Sequence, residues 1–526
     1  MSYNYLCVVC TLILSAYSTQ PNIVYILADD LGYEDVGFHN SDILTPNINQ
    51  LAAEGVILEN HYVMPLCSLT RASLLTGRYN IHTGYWQGLP RVGAEWALGL
   101  NETTVAEMLQ GYGYTTHMVG KWHVGSHSWD YTPAKRGFQS FRGMYLGGAD
   151  YFTHICPPVQ ALDCRTDYVT PEGVLVDNIE QNLTGQYITD IYTARAVSII
   201  GKKPKDKPLF LYLAYTAPHI PLGVPANPYT RHMMGSTKGR RTYAGMVSVM
   251  DQGIGQVVQA LERTGIRDNT LIVFSSDNGA ESGISFLTGK PSPGSNYPLR
   301  GDKGSFYEGG VRGVSFVNSP LLSKTGYVNK NLHHVVDWLP TFEALAAQSN
   351  ELVTFTKPRL PLDGVNIWPS ISNNVSCREE VLIGKSAADK FTNASYSEDV
   401  LFHPRFPTTY PQDFSVLRHN NWKILTGVIT SRGWSPSKNL GAPEDLLTDN
   451  NSVQLTQLYD LDTDPREQFN VANNHPEVVV DMLIRLGRYE VVSVTKARNS
   501  VEGSVGGVWY PWVDTVEDYE VITNII

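Results

Sequence analysis

Short apolar runs that end in polar residues recur through the first part of the chain. Asn22–Ala28, Leu209–Tyr215 and Thr270–Ser275 are largely apolar segments of strand length, and Thr115–Gly120 is a further strand candidate. A strand that is apolar along its whole length has both faces covered, as is typical of parallel sheets. The pattern therefore predicts buried parallel strands with polar residues at their carboxyl ends.

Helical signals lie between these runs. Thr45 and Pro46 have the character of an N-cap and a first helical residue, and the helix they open runs through Glu54 and closes at Gly55. Tyr243–Arg263 also has helical spacing. Strands that alternate with helices predict an α/β fold, with a large, mostly parallel sheet sandwiched between helices.

The pattern changes after Pro361. Phe414–Arg418 and Trp422–Leu425 flank a His-Asn-Asn turn at 419–421, which predicts an antiparallel hairpin. His475–Tyr489 has the spacing of an amphipathic helix. A smaller C-terminal α+β domain with an antiparallel sheet is therefore expected.

The N-terminus has the features of a secretory signal peptide. Leu6–Ala16 is apolar but too short to span a bilayer, and a small-x-small triplet follows it. We predict a signal peptide at 1–18, a catalytic domain at 19–376 and a C-terminal domain at 377–526, since 526 residues exceed one simple core. No later segment has the length and apolarity of a membrane span.

The cysteines and the glycosylation sequons are also typical of a protein that enters the secretory pathway. Two of the six cysteines lie in the predicted signal peptide, and Cys156 and Cys164 bracket a short proline-containing loop. An oxidising compartment favours a disulfide between them. Sequons of the form N-x-S/T begin at Asn101, Asn182, Asn374, Asn393 and Asn450.

Net charge restricts the partners. The chain carries a formal charge of -11, which argues against nucleic acid or an acidic membrane surface as the main partner. An anionic substrate would need a local cationic pocket.

One stretch carries a candidate nucleophile. Cys67 lies four residues before Arg71 at the start of a helix-like run that ends at Arg78. Residues at i and i+4 share one helical face, and a helix start offers free N–H groups and a positive dipole end to an anion. This arrangement suits a nucleophile that attacks an anionic ester.

Acidic and amide side chains follow two of the predicted strands. Asp29 and Asp30 end the first strand, and Asp277 and Asn278 follow the strand at 270–275. Three converging carboxylates repel one another unless a cation lies between them, and all-oxygen ligation selects Ca²⁺ or Mg²⁺ over zinc. The sequence therefore predicts a metal site at the carboxyl edge of the sheet.

The stretch from Cys67 to Arg78 resembles the sulfatase signature C-x-P-S-R-x-x-L-x-T-G-R, in which the cysteine is converted to formylglycine. Leu69 replaces the proline of the signature and Thr70 replaces its serine. Gly113–Gly125 matches the second signature, G-Y-x-T-x-x-x-G-K-W-H-x-G, at every fixed position. The remaining active-site positions of the family are matched by Lys121 and His123 within that signature, by His219, and by Lys303.

The resemblance implies a mechanism. A calcium ion would be held by the four strand-end residues and an oxygen of modified Cys67. One hydroxyl of the formylglycine hydrate would attack sulfur, and the second, deprotonated by His123, would expel sulfate. His219 would protonate the leaving oxygen. The sulfate charge would be neutralised by Lys121 and Lys303, and the modified residue would be oriented by Arg71.

Several longer segments look like the arylsulfatase B branch, N-acetylgalactosamine-4-sulfatase. They are 296–303, 308–313, 337–341, 362–364 and 458–465. The resemblance implies the fold of the alkaline phosphatase superfamily, a formylglycine-generating enzyme as maturation partner, and a lysosomal or secreted protein. Its substrate would be a sulfated sugar, a glycosaminoglycan or a small sulfate ester.

Two other functions stay open. Leu69 leaves room for a catalytically silent homologue that binds sulfated glycans with an unmodified Cys67. A phosphatase or phosphodiesterase of the same superfamily is disfavoured, because those enzymes use Ser or Thr as nucleophile with a zinc-type ligand set.

Overall fold

The structure is a computed structural model. It describes residues 19–489 and the backbone of the strands at 504–505 and 508–509. Within 19–489 it leaves out 40, 86–88, 91–95, 157–160, 163–164, 170–174, 180–182, 227–232, 234–235, 285–290, 348–358, 386–413 and 428–455. The signal peptide and Cys164 lie outside the described residues, so the signal peptide and the disulfide to Cys156 stay predictions.

Within the described residues, the main sheet has ten strands in the order β14-β2-β13-β10-β1-β9-β3-β4-β7-β8. The strands of the chain, including those of smaller sheets, are β1 (Asn22–Ala28), β2 (Val56–Tyr62), β3 (Thr115–Lys121), β4 (Ser140–Met144), β5 (Ile155–Cys156), β6 (Ala161–Leu162), β7 (Arg165–Val169), β8 (Leu175–Ile179), β9 (Leu209–Ala214), β10 (Thr270–Ser276), β11 (Ser282–Ile284), β12 (Pro291–Pro293), β13 (Ser315–Asn318), β14 (Tyr327–His334), β15 (Glu380–Lys385), β16 (Ser415–His419), β17 (Trp422–Thr426), β18 (Thr456–Asp460), β19 (Ser504–Val505) and β20 (Val508–Trp509). The centre of the main sheet, β10-β1-β9-β3-β4, is parallel throughout. This confirms the predicted fold class.

Helices cover both faces of the main sheet. They are α1 (Pro46–Glu54), α2 (Cys67–Thr76), α3 (Asn80–Thr83), α4 (Val105–Gly111), α5 (Ile188–Lys202), α6 (Lys238–Arg263), α7 (Glu308–Val311), α8 (Trp338–Ala346), α9 (Trp368–Asn373) and α10 (Pro476–Leu486). Among the described residues, none of these helices combines the length and the apolarity that crossing a membrane would require.

The apolar sequence of β1 follows from its central position. All seven residues are buried, because alternate side chains enter two different cores. Tyr25 packs edge-on against Trp338 of α8 on one face, with ring centroids 5.8 Å apart. Val24 and Ile26 point to the other face and share a core with Val247 of α6. A strand buried on both faces has no polar alternation.

The start of α1 is held by a carboxylate from another helix. Thr45 makes no side-chain cap. Instead Asp251 of α6 accepts hydrogen bonds from the backbone N–H groups of Asn47 (3.3 Å) and Ile48 (2.7 Å). The predicted helix bounds are confirmed, and its N-terminal N–H groups are satisfied by tertiary contact.

A separate antiparallel sheet is formed by strands between residues 380 and 460. Its order is β15-β16-β17-β18, and β16 and β17 pair as the predicted hairpin, with His419 opposite Trp422. The helix α10 packs on this sheet through Met482 and Leu486. The boundary between domains at 376 and 377 stays a prediction.

Candidate active site

The carboxyl ends of β1 and β10 place the acidic residues side by side. Ala28 lies opposite Ser276 in the parallel register, and the N–H of Asp277 donates to the carbonyl oxygen of Ala28 (3.0 Å). Asp29 and Asp277 therefore start from adjacent points of one sheet edge. Both are fully buried, so the predicted convergence is confirmed.

Asp29, Asp30, Asp277 and Asn278 form an acidic cluster at this edge of the sheet. The Oδ1 atoms of Asp29 and Asn278 are buried and make no hydrogen bond within the described residues. Ligand atoms of Asp29, Cys67 and Asp277 lie within 4.8 Å of one another, and so do those of Asp29, Asp30 and His219. Burial and the neighbouring Asp29 raise the pKa of Asp277 to about 6. A hard cation with oxygen ligands would satisfy these atoms and remove the repulsion.

Asp30 has an unusual backbone that is held from several sides. Its φ is 61°, in the left-handed region that non-glycine residues rarely adopt. The hydroxyl of Tyr243 donates to its carbonyl oxygen (3.0 Å), and its N–H donates to Asp277 (3.2 Å). The amide of Asn278 donates to its Oδ1 (2.6 Å). These contacts direct the Asp30 carboxylate toward Lys303 and His219. We call the region between Cys67, His123 and His219 the cleft.

Cys67 is the first residue of α2, as predicted. Its Sγ lies 3.2 Å from Nδ1 of His123, and its side chain is buried. Burial raises the pKa of the Cys67 thiol, although Lys121 and Lys303 oppose the shift. A reactive cysteine needs the opposite shift, so the unmodified thiol is poorly suited to act as the nucleophile.

Arg71 joins the helix to the acidic cluster. One guanidinium nitrogen donates to the carbonyl oxygen of Lys121 (2.6 Å). The other donates to Asp277 (2.8 Å) and lies 3.7 Å from Asp29. The side chain is completely buried, so Arg71 fixes α2 against the strand ends.

Two lysines pair with the two acidic residues after β1. Nζ of Lys121 donates to Asp29 (2.6 Å) and Nζ of Lys303 donates to Asp30 (2.7 Å). Burial opposes the charge of Lys303, but Asp30 outweighs it and the pKa of Lys303 lies above its ordinary value. Two cationic groups therefore lie in the site despite the net charge of -11, and each of them is paired with a carboxylate.

Two histidines face the cleft. Burial, followed by neighbouring lysines, lowers the pKa of both His123 and His219 well below the ordinary value. Nε2 of His219 lies 3.7 Å from Asp30. A Cβ at Gly147 would come within 2.7 Å of the His123 ring, and one at Gly148 within 3.1 Å of the His219 ring. These glycines leave room for both rings.

The structure thus brings together every residue that the sequence proposed for the site. Sequence reasoning missed Tyr243, which supports Asp30, and Thr70. The Thr70 hydroxyl donates to the carbonyl oxygen of Asp277 (2.5 Å) and accepts from the N–H of Met64 (2.8 Å). The only sequence signal for Thr70 was its position in the first signature, and Tyr243 had none.

Comparisons with known proteins find similar chains. Residues 21–348 match the family model described as Sulfatase. The chain is 37% identical over 514 residues to arylsulfatase J of Mus musculus, covering 95% of this chain and 81% of the relative. It is 30% identical over 489 residues to arylsulfatase A of Homo sapiens, covering 88% of this chain and 86% of the relative.

A solved structure shares the architecture. The crystal structure of Ps i-CgsB in complex with k-i-k-neocarrahexaose superposes with a TM-score of 0.67 at 28% sequence identity. The match covers 97% of this chain and 98% of that chain.

Proposed function

Because this chain belongs to the sulfatase family, we propose that it hydrolyses sulfate monoesters of sugars in the cleft between Cys67, His123 and His219. The observation that carries the proposal is the placement of Cys67 at a helix start, 3.2 Å from Nδ1 of His123, beside two buried lysine–aspartate pairs. Charge neutralisation and proton transfer are both available there.

We propose that Cys67 acts after conversion to formylglycine by a formylglycine-generating enzyme. The raised pKa of the thiol supports this, because an unmodified thiol at this position resists ionisation. Formylglycine, as its hydrate, supplies a hydroxyl nucleophile and a second hydroxyl on the same carbon.

We propose calcium as the resident metal. Asp29, Asp30, Asp277 and Asn278 would hold it, and the unused Oδ1 atoms of Asp29 and Asn278 fit that role. When bound, calcium supplies positive charge for the sulfate oxygens. Arg71 keeps Asp277 in place through their 2.8 Å contact.

The remaining steps belong to the side chains of the protein. Lys121 and Lys303 offer positive charge to the sulfate oxygens. His123 is neutral because its pKa is lowered, so it can accept a proton from the group at position 67. A bound anionic ester raises the proton affinity of His219, which allows it to protonate the leaving sugar oxygen.

We propose a sulfated sugar or glycosaminoglycan as the substrate. The support is the resemblance of five segments to N-acetylgalactosamine-4-sulfatase, together with the oligosaccharide bound to the similar Ps i-CgsB structure. The predicted signal peptide supports a lysosomal or secreted location.

Hydrolysis rates with matched aryl esters test the reaction class. We expect purified wild-type protein to cleave an aryl sulfate at least about 100-fold faster than the corresponding aryl phosphate, a difference of roughly 3 kcal/mol in transition-state stabilisation. Faster cleavage of the phosphate would favour a phosphatase. The Lys121→Ala variant is the control, since loss of the charge paired with Asp29 should lower the sulfate rate.

A further inference from the structure

The loop that carries Lys303 reaches from the cleft to the C-terminal sheet. We name residues 299–308 the Lys303 loop. Lys303 contacts Asp30 in the cleft, and its backbone N–H donates to the carbonyl oxygen of Ala280 (3.1 Å). Gly301 and Gly304 have φ of 84° and 83°, so the loop turns sharply on both sides of Asp302 and Lys303.

Glu467 contacts both ends of this loop. Its carbonyl oxygen accepts from the guanidinium of Arg300 (3.0 Å), and its carboxylate accepts from the N–H of Glu308 (2.7 Å). Arg300 also donates to the hydroxyl of Tyr459 on β18 (3.0 Å). The N–H of Gly309 closes the loop on the carbonyl oxygen of Arg300 (2.6 Å). Glu467 follows the segment 458–465, to which the proposed chemistry gives no role.

A buried ion cluster fixes the position of Glu467. Nζ of Lys423 on β17 lies 2.8 Å from Glu308 and 2.9 Å from Glu467, and all three side chains are fully buried. Glu308 also accepts a hydrogen bond from Tyr62 (2.8 Å). Removing Lys423 would leave buried carboxylate charge without its nearest cation. The cluster therefore permits little movement between the C-terminal sheet and the loop.

The pKa values of the two carboxyl groups, Glu467 and Glu308, indicate which of them is ionised. Burial, with Glu308 adding to it and Lys423 opposing it, raises the pKa of Glu467 to about 7. Burial alone would raise the pKa of Glu308 as well, but Lys423, Arg312 and Arg418 outweigh it and lower that pKa. Glu308 therefore carries the charge that pairs with Lys423.

We propose that Glu467 is a positioning residue for Lys303. Because Glu467 contacts Lys423 of β17, the C-terminal antiparallel sheet thereby contributes to the geometry of the active site. Glu467 holds the guanidinium of Arg300 and the backbone N–H of Glu308, and this fixes the point from which the Lys303 side chain extends. The position of Nζ relative to the sulfate is fixed in turn. Displacements of about 1 Å at such groups are costly in rate. The proposal rests on the proposed function, because it assigns Lys303 to the sulfate oxygens.

A double-mutant cycle separates positioning from general stabilisation. Glu467→Ala removes the acceptor for Glu308 and leaves Lys423 and Glu308 paired one to one. We expect it to lower kcat/KM for an aryl sulfate about 10-fold in the wild-type background but less than about twofold when Lys303 is already alanine. The effects of two mutations are non-additive when one residue acts through the other. Glu467→Gln, which keeps an acceptor, should restore most of the activity.

The control residue lies in the turn between β16 and β17, and among the described residues it makes no hydrogen bond to the Lys303 loop. Asn421 donates to Asp460 (2.8 Å), and Asn421→Ala should lower thermal stability without changing kcat/KM. If Glu467→Ala does not fold, Arg300→Met replaces it in the cycle, since it breaks the contact at the other end of the loop.

The outcomes distinguish this inference from the proposed function. An equal loss of activity from Glu467→Ala in both backgrounds would overturn the positioning role while leaving sulfate ester hydrolysis in place. If turnover by Lys303→Ala, or by the wild type, is too slow to measure, the same cycle is read from the calorimetric affinity for inorganic sulfate. Additive losses of sulfate affinity would then overturn the inference.

Discussion

Replacing Cys67 by alanine is expected to lower kcat for aryl sulfate hydrolysis by about 10⁴-fold or more, as removal of a catalytic nucleophile does in other hydrolases. Cys67 lies at the helix start beside His123. Within the described residues, the other groups of the site are lysine, arginine, carboxylate, amide and histidine side chains that contact one another. None of them is placed to take over its role.

The Cys67→Ser variant tests the proposed role of the second hydroxyl at position 67. A serine at this position has a hydroxyl but not a second one on the same carbon, so it can accept sulfate and cannot expel it through an aldehyde. We expect at most one sulfate retained per chain and no sustained turnover, which intact-mass measurement can detect. Cys377→Ser is the control and should keep wild-type activity. Sustained turnover by Cys67→Ser would contradict the account.

The second large effect concerns the metal. Asp277→Asn is expected to lower kcat/KM by about 10²- to 10³-fold and to abolish the stabilisation by calcium. A ligand present at 100 times its Kd stabilises a folded protein by about 2.7 kcal/mol, so the wild-type Tm should rise with added calcium and fall with a chelator. Asp277 is buried beside Asp29 and Arg71. Interactions between charges are stronger in a buried site than in water, so loss of this charge should weaken metal binding strongly.

The matched control is Asp251→Asn. Asp251 is also a buried carboxylate, but it holds the start of α1, and it belongs to neither of the possible metal-binding groups found among the described residues. Its substitution should lower the Tm and leave the calcium-dependent shift intact. A calcium shift that survives in Asp277→Asn would show that the metal site does not involve this residue.

Local patterns predicted the elements that place the site. The run Asn22–Ala28 gave the bounds of β1 correctly, because a strand buried on both faces has a distinctive apolar sequence. The strand ends then placed Asp29 and Asp277 together. By contrast, β13 has only four residues and inserts antiparallel between β10 and β2, and nothing in so short a segment specifies its direction.

Long-range contacts account for what the sequence could not predict. Tyr243 lies 213 residues from Asp30, and Glu467 lies 159 residues from Glu308. Neither residue lies in a local sequence motif from which its partner could be predicted, because these contacts form only when whole helices and strands pack together. Gly147 and Gly148 are similar, because the need for small residues appears only when the two histidine rings are in place.

The mass of the tryptic peptide that ends at Arg71 tests the central claim most directly. In active protein purified from its native cells, we predict a peptide about 18 Da lighter than the cysteine form, as conversion of a thiol to an aldehyde requires. This would mean that Leu69 does not prevent modification. An unmodified cysteine in all copies would contradict the account and favour a homologue that binds sulfated glycans without cleaving them.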